Sequence, residues 1–360
     1  MINRLKTKLL LSPKDITPSD ERLKVIGVFN PGVVRFKDRL AMLARVAEAA
    51  KDMKPGELAC PRFDSERDNH KYIIESFRIK NGHDPRKSLV EGGFCRLSSI
   101  SHLELIWLNN DASEVLAIEK IPELFPSESY EEFGIEDARI TQIDHTFYIT
   151  YVAVSRNMSV STALMSTEDF KSFKRHGVIF DADTKDVVIF PKEIHSKFHA
   201  YTRPIGEINF GSPSIHTASS PDLKHWGDYH FVMDGQLGSW DQHRVGAGAV
   251  PLETPKGWLN FYHGVERNNN DTIGQYRIGA FLTATSDPSR VIARTPHALL
   301  EPMEQFELEG FCPKVMFVTA AIAHPTDPDI IQLFYGAADT NVALCEISLS
   351  ETFHALVEVE

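Results

Sequence analysis

From Gly93 onward the chain alternates apolar and polar residues in short runs separated by turn residues. The runs are Leu103–Leu108, Ala138–Val154, Ser159–Met165, Val187–Phe190, Phe198–Arg203, Ser214–Ala218, Val245–Pro251, Trp258–His263, Tyr276–Thr283, Lys314–Ala323, Ile330–Tyr335 and Val342–Ser348. A period of two marks a strand with one face buried, and no stretch of a dozen residues keeps helical periodicity. Before Gly93 the pattern is less regular. Residues 1–24 are polar and broken by proline, and read as an irregular lead-in. Val25–Val34 is an apolar strand interrupted by the turn signal Asn30-Pro31-Gly32, and the apolar run Leu40–Val46 carries Arg45. Residues 51–92 are charged and contain Pro55, Pro61 and Pro85, so they predict a solvated excursion rather than core.

Many short strands at even spacing predict an all-β sandwich, barrel or propeller. A weak repeat selects among them. Ser166–Phe173 (S-T-E-D-F-K-S-F) and Ser219–Trp226 (S-S-P-D-L-K-H-W) share the form S-x-x-D-Φ-K-x-aromatic, with Φ apolar, and lie 53 residues apart. A period near 50 residues suits propeller blades of four strands each.

Composition narrows the function. A net charge of −12 argues against a nucleic-acid partner, which calls for a concentrated basic surface, yet leaves room for a local basic pocket. Cys60, Cys95, Cys312 and Cys345 are scattered, with no metal-binding spacing, and read as isolated buried thiols; no metal is expected. The apolar run Leu9–Leu11 is too short for a secretory signal, and no segment is long enough to span a membrane, so a cytoplasmic location is expected.

The stretch Gly134–Tyr151 concentrates chemistry. Glu136, Asp137 and Arg139 stand immediately before the alternating run Ile143, Phe147, Ile149, Tyr151, which places three charges at a strand entrance. Such a group serves proton transfer, because burial and neighbouring charge set which form a carboxyl takes; it also serves as a plain structural salt bridge. In a propeller, strand entrances from distant segments converge on a central funnel. Asn30, Arg45, Asp137, Lys185, Asp186, Arg203, Arg244, His263 and Asp339 are the polar residues so placed. The cations Lys185, Arg203 and Arg244, with His263, suit an anion such as phosphate. The carboxylates Asp137, Asp186 and Asp339 suit sugar hydroxyls or acid catalysis. Phe133, Tyr201, Trp240, Tyr262 and Tyr335 have the aromatic faces that sugars stack on, although aromatics at this density more often form core.

Taken together, F-N-P-G-V-V-R-F, G-I-E-D-A-R-I-T, K-D-V-V-I-F-P-K-E-I, Y-T-R-P, R-V-G-A-G-A-V-P-L-E-T-P-K-G-W-L, F-Y-H-G-V and Y-G-A-A-D-T, in this order from Phe29 to Asp339, resemble glycoside hydrolase family 130. That family comprises β-mannoside phosphorylases and β-mannosidases on a five-bladed β-propeller. The resemblance implies a single propeller over residues 25–360 and assigns the general acid to Asp137. One departure is Ala138, where the family commonly has proline. It further implies inversion at the anomeric carbon and phosphate ligands at Lys185, Arg203, Arg244 and His263. The family's Arg-Asn pair before the V-x-F-P run reads Lys185-Asp186 here. A carboxylate beside phosphate is repulsive unless it is paired or points away.

The expected activity is therefore phosphorolysis of β-linked manno-oligosaccharides to mannose 1-phosphate. Inorganic phosphate is the co-substrate and there is no cofactor; Asn30, Arg45, Asp186, Asp339 and Tyr335 are expected to bind sugar. One alternative is an inverting β-mannosidase with Glu266 or Asp186 as base, at roughly 6.5–9.5 Å from the acid. A non-catalytic sugar-binding propeller is the other. Linkage and acceptor are expected to depend on residues 51–92 and on Arg267–Gln275, and a homo-oligomer is a possibility through the N-terminal segment.

Overall fold

The computed structural model describes all of the chain except residues 67–71, 79–86, 90–93, 182, 206–210, 269–272 and 360. Five antiparallel sheets of four main strands form the blades of a β-propeller. Blade I comprises Leu23–Phe36, Arg39–Ala50, Ile100–Asn109 and Val115–Glu119, from the axis outward. Blade II comprises Ile135–Ile143, Thr146–Ser155, Ser159–Thr167 and Lys174–Phe180. Blade III follows with Thr184–Ile189, Phe198–Pro204, Ile215–Ser220 and Gly227–Met233. Blade IV is built on Arg244–Ala247, Gly257–Glu266, Gln275–Ala284 and Asp287–Arg294, with Leu252–Thr254 also paired to its second strand and Val357–Glu358 on its edge. Blade V takes Met316–Ala323, Ile330–Ala337 and Asn341–Ser348 from the end of the chain, and its outermost strand, Lys6–Leu11, from the beginning.

That last pairing corrects the reading of residues 1–24 as irregular. Lys6 faces Glu346 and Leu11 faces Val342, so the N-terminal segment closes the ring. Proline at 13 and 18 hid a strand of six residues that is buried mainly at Leu11. The 51–92 excursion needs correction as well. Its hairpin, Glu57–Phe63 with Tyr72–Arg78, buries Ala59, Cys60 and Phe63 and docks on blade I, where Phe63 packs with Leu23 and Ile100, while its amide donates to the Glu132 carbonyl, just ahead of blade II, at 2.7 Å. The Ala138–Val154 run divides into two strands around Asp144, and Val25–Val34 continues through its turn signal as one strand with a bulge.

Apolar residues fill each seam between neighbouring blades. Leu43 and Leu103 of blade I meet Ile140 and Ile149 of blade II; Leu164 and Ile179 meet Ile189 and Ala200 of blade III. Val188 and Tyr201 pack on Trp258 and Phe281, Leu259 and Ile278 on Met316 and Leu333, and Phe334 and Leu344 return to Val28 and Leu40. Central strands buried on both faces read as nearly continuous apolar runs, which is why Arg39–Ala50 and Gly257–Glu266 show little alternation. The repeat noted above is real at the level of structure. Asp169 and Asp222 each accept two backbone amides in the turn between third and fourth strands of blades II and III, around left-handed Phe170 and Leu223.

Candidate active site

The innermost strands of blades I, II and III break in the same way. Register slips between Phe29 and Gly32, between Glu136 and Arg139, and between Lys185 and Val188. Within each slip stands one residue in the left-handed region: Asn30 (φ 48°), Asp137 (φ 53°) and Asp186 (φ 54°). Asn and Asp tolerate this conformation better than other side-chain-bearing residues, and a bulge re-aims the side chain it carries. All three are buried. Strained backbone repeated around one axis marks a site.

Two groups of polar residues meet there. In the first, Asn30 Nδ2 donates to Asp137 Oδ1 at 2.9 Å, and Arg45 spans Asp137 Oδ1 (3.1 Å), Glu136 Oε1 (2.9 Å) and Ser101 Oγ (2.9 Å). Gly336 makes room for Asn30, since a Cβ there would lie 2.0 Å from Asn30 Oδ1. Burial would push the Asp137 carboxyl up, but Arg45, Arg139, Lys185 and the Asn30 amide outweigh it and hold the carboxyl below its ordinary value. Burial likewise opposes the charge on Arg45, and Glu136, Asp137 and Asp339 more than offset it. Asp339, itself left-handed at φ 48°, thus acts on this first group.

The second group centres on Asp186. Its Oδ2 accepts from Arg203 Nε at 2.6 Å and lies 3.6 Å from His263 Nε2, while its Oδ1 is 3.7 Å from Arg139 Nη2. Burial opposes ionisation of Asp186, but Arg203, His263 and Arg139 hold its carboxyl well below the usual range. His263 is fully buried; burial, helped by Arg203, Arg244 and Arg139, lowers it to about 3, so its ring is neutral at ordinary pH. Arg244 donates to the Tyr276 hydroxyl at 2.7 Å, and burial with Arg203 and Arg267 nearby lowers its pKa. Three guanidinium groups, Arg139, Arg203 and Arg244, thus surround the single carboxylate of Asp186. Buried nitrogens here have no hydrogen-bond partner among the described residues: Arg139 Nη2, Arg244 Nε and both nitrogens of His263. Buried donors left unpaired are costly, and an oxyanion would satisfy them. Lys185 belongs to the first group, with Nζ 3.8 Å from Glu136 Oε2, and Arg139, which donates to the Asp137 carbonyl and faces Asp186, joins the two.

The structure therefore brings Asn30, Arg45, Asp137, Lys185, Asp186, Arg203 and His263 into contact and places Arg244 and Asp339 in the same electrostatic field. Two residues lie elsewhere. Tyr335 is core, its hydroxyl donating to the buried carboxylate of Glu307 at 2.5 Å. Glu266 has a 42% exposed side chain and pairs with Arg277 at 3.0 Å. Tyr201 and Tyr262 are also core, their hydroxyls bound by Thr283 and Pro288 and by Asp241. Cys95 is exposed, unlike the other three cysteines.

Glu136 and Arg139, visible as charges in the sequence, take larger parts than a strand-end salt bridge. Arg139 donates from Nη1 to the Asp137 carbonyl (2.5 Å) and from Nε to the Gly248 carbonyl of blade IV (2.9 Å). Tyr276 carried no signal beyond an apolar strand. Among the described residues no group of three His, Cys, Asp or Glu is arranged to hold a metal ion, and no helix is long and apolar enough to cross a membrane.

A family model described as β-1,4-mannooligosaccharide phosphorylase matches residues 101–358. Over its full length the chain is 37% identical to the β-1,2-mannobiose phosphorylase of Listeria innocua, covering 99% of that protein. It is 34% identical to the β-1,4-mannooligosaccharide phosphorylase of Ruminococcus albus over 58% of this chain and 61% of that one. The solved structure of the Listeria innocua enzyme with β-1,2-mannobiose superposes with a TM-score of 0.87 at 36% identity, covering 96% of each chain. With this fold and these matches, the chain belongs to glycoside hydrolase family 130 and is an enzyme of this glycoside phosphorylase and hydrolase family.

Proposed function

We propose that the protein is an inverting β-mannoside phosphorylase that cleaves β-1,2-linked mannobiose with inorganic phosphate, releasing mannose and α-mannose 1-phosphate. The observation that carries this reading is the set of buried, unpartnered donors on Arg139, Arg244 and His263, gathered with Arg203 beside the group that holds Asp137. Such a set suits a tetrahedral oxyanion. Of the two carboxylates considered as base, Asp186 is paired to Arg203 and Glu266 to Arg277. The β-1,2 linkage is taken from the whole-length likeness to the Listeria innocua enzyme.

The chemistry follows from charge. In the free protein Asp137 is a carboxylate, held so by Arg45, Arg139 and Lys185. Phosphate entering the cation cluster cancels the field of Arg139 and Lys185 at Asp137, and its pKa rises toward the protonated form needed for a general acid. A phosphate oxygen then attacks the anomeric carbon, the C1–O bond to the leaving sugar breaks, and the leaving oxygen takes the proton. Asn30, Arg45 and Asp339 are assigned to the mannose hydroxyls, Lys185, Arg203, Arg244 and His263 to phosphate, and the reaction asks for no cofactor. The test is product analysis on β-1,2- and β-1,4-mannobiose with and without phosphate. Mannose 1-phosphate formed only with phosphate, and faster from the β-1,2 substrate, is expected. Free mannose as the sole product at a phosphate-independent rate would overturn the reading.

A further inference from the structure

We propose that Asp186 makes the anion pocket a filter for oxyanions that carry a proton, admitting phosphate and arsenate and turning away sulfate and selenate. The inference rests on the phosphorylase reading and adds a specificity residue to it. Asp186 lies against two of the groups an oxyanion would use, 2.6 Å from Arg203 Nε and 3.6 Å from His263 Nε2. An anion accepting from both is therefore forced against this carboxylate.

The carboxylate has little freedom to withdraw. Its backbone is fixed in the left-handed bulge, its side chain is buried, and Gly246 closes the space behind it. A Cβ at Gly246 would lie 2.4 Å from Asp186 Oδ2 and 2.4 Å from His263 Cε1, so main chain is already packed against the pair. Arg203 occupies Oδ2, whereas Oδ1 accepts no hydrogen bond from the described residues and is approached by Arg139 Nη2 at 3.7 Å.

What Oδ1 accepts from a ligand decides the outcome. Inorganic phosphate at neutral pH retains at least one proton, and arsenate behaves alike, so either anion donates an O–H to Oδ1 while its other oxygens accept from Arg203, Arg244 and His263. Sulfate and selenate have the same shape and no proton. Each would set an acceptor oxygen against a buried carboxylate oxygen, a contact that is repulsive and shielded from solvent. The neutral ring of His263 sharpens the choice, since it offers one N–H without the extra positive charge that would favour any dianion equally.

The experiment measures anion binding to the full-length protein by calorimetry, and inhibition of phosphorolysis by sulfate and selenate, for the wild type and Asp186→Asn. Sulfate is expected to bind the wild type at least about 50-fold more weakly than phosphate, with arsenate within about fivefold of phosphate. Asp186→Asn keeps an acceptor for Arg203 and replaces the anionic oxygen by an amide. It should lower the phosphate-to-sulfate ratio at least about tenfold, raising the KM for phosphate and strengthening sulfate inhibition. Sulfate binding within about threefold of phosphate in the wild type overturns the proposal without any variant, and so does an unchanged ratio in a folded Asp186→Asn protein. Discrimination is read from the titrations whatever sugar is released, so a hydrolytic product would sink the phosphorylase reading separately. Absence of phosphate binding sinks both.

Discussion

The left-handed residues Asn30, Asp137 and Asp186 do two jobs at once: each tolerates the bulge and each supplies the polar group that the bulge aims. This makes Asp137→Asn a clean test, because asparagine is equally at ease in that conformation. We expect kcat to fall by about 10²–10⁴-fold with the fold intact, checked by steady-state kinetics beside circular dichroism. Gly246→Ala acts by space alone. Its Cβ would press on Asp186 and His263, and a loss of at least about tenfold in kcat/KM for phosphate is expected. His263 bears on pH dependence of stability. Its folded value of about 3 lies below the unfolded value of about 6.5, so the unfolded chain binds more protons in that window. Stability should therefore fall as pH drops from about 6.5 toward 3, and His263→Gln should show a shallower acid limb in thermal melts. Sequence reading picked out Asp137, Asp186, Arg203 and His263 as single charges beside apolar runs. Their mutual distances were beyond it, because each sits on a different strand or blade. Tyr335 was misplaced for the same reason: an aromatic on a buried strand looks identical whether it faces funnel or core.

Among the elements, the N-terminal strand departs most from sequence expectation. It is short and flanked by polar residues, and its pairing partner, Asn341–Ser348, lies over 300 residues away. Local pattern carries no trace of so distant a pairing. Arg4 fastens the segment to the buried carboxylate of Glu307 at 2.9 Å, which Tyr335 also engages. Arg4→Ala leaves that carboxylate without its cation, and a loss of about 3–5 kcal/mol in denaturant unfolding is expected. The S-x-x-D-Φ-K turns were legible because they are local. An aspartate accepting two amides ahead of it needs only its own loop, and the same loop recurs one blade later.

At the scale of the whole molecule, the cation cluster around Asp186 draws on blades II, III and IV, so an oxyanion accepting from it would tie three blades together. Phosphate should raise the melting temperature, with a stabilisation of about 2.7 kcal/mol at a hundred times its dissociation constant; a calorimetric scan with and without phosphate checks this. The amino-acid sequence alone determined the all-β class and the blade period and singled out Asp137 as the candidate acid, because alternation, turn chemistry and a charged strand entrance are properties of neighbouring residues. The residues expected to govern linkage fall partly on 67–71, 79–86, 90–93 and 269–272, outside the described residues. Tertiary structure alone decided that strand six to eleven closes the ring, that Asp186 is paired to Arg203, and that Glu266 turns to Arg277. Those outcomes depend on which distant strands the ring sets side by side, and burial then fixes the charge each group carries.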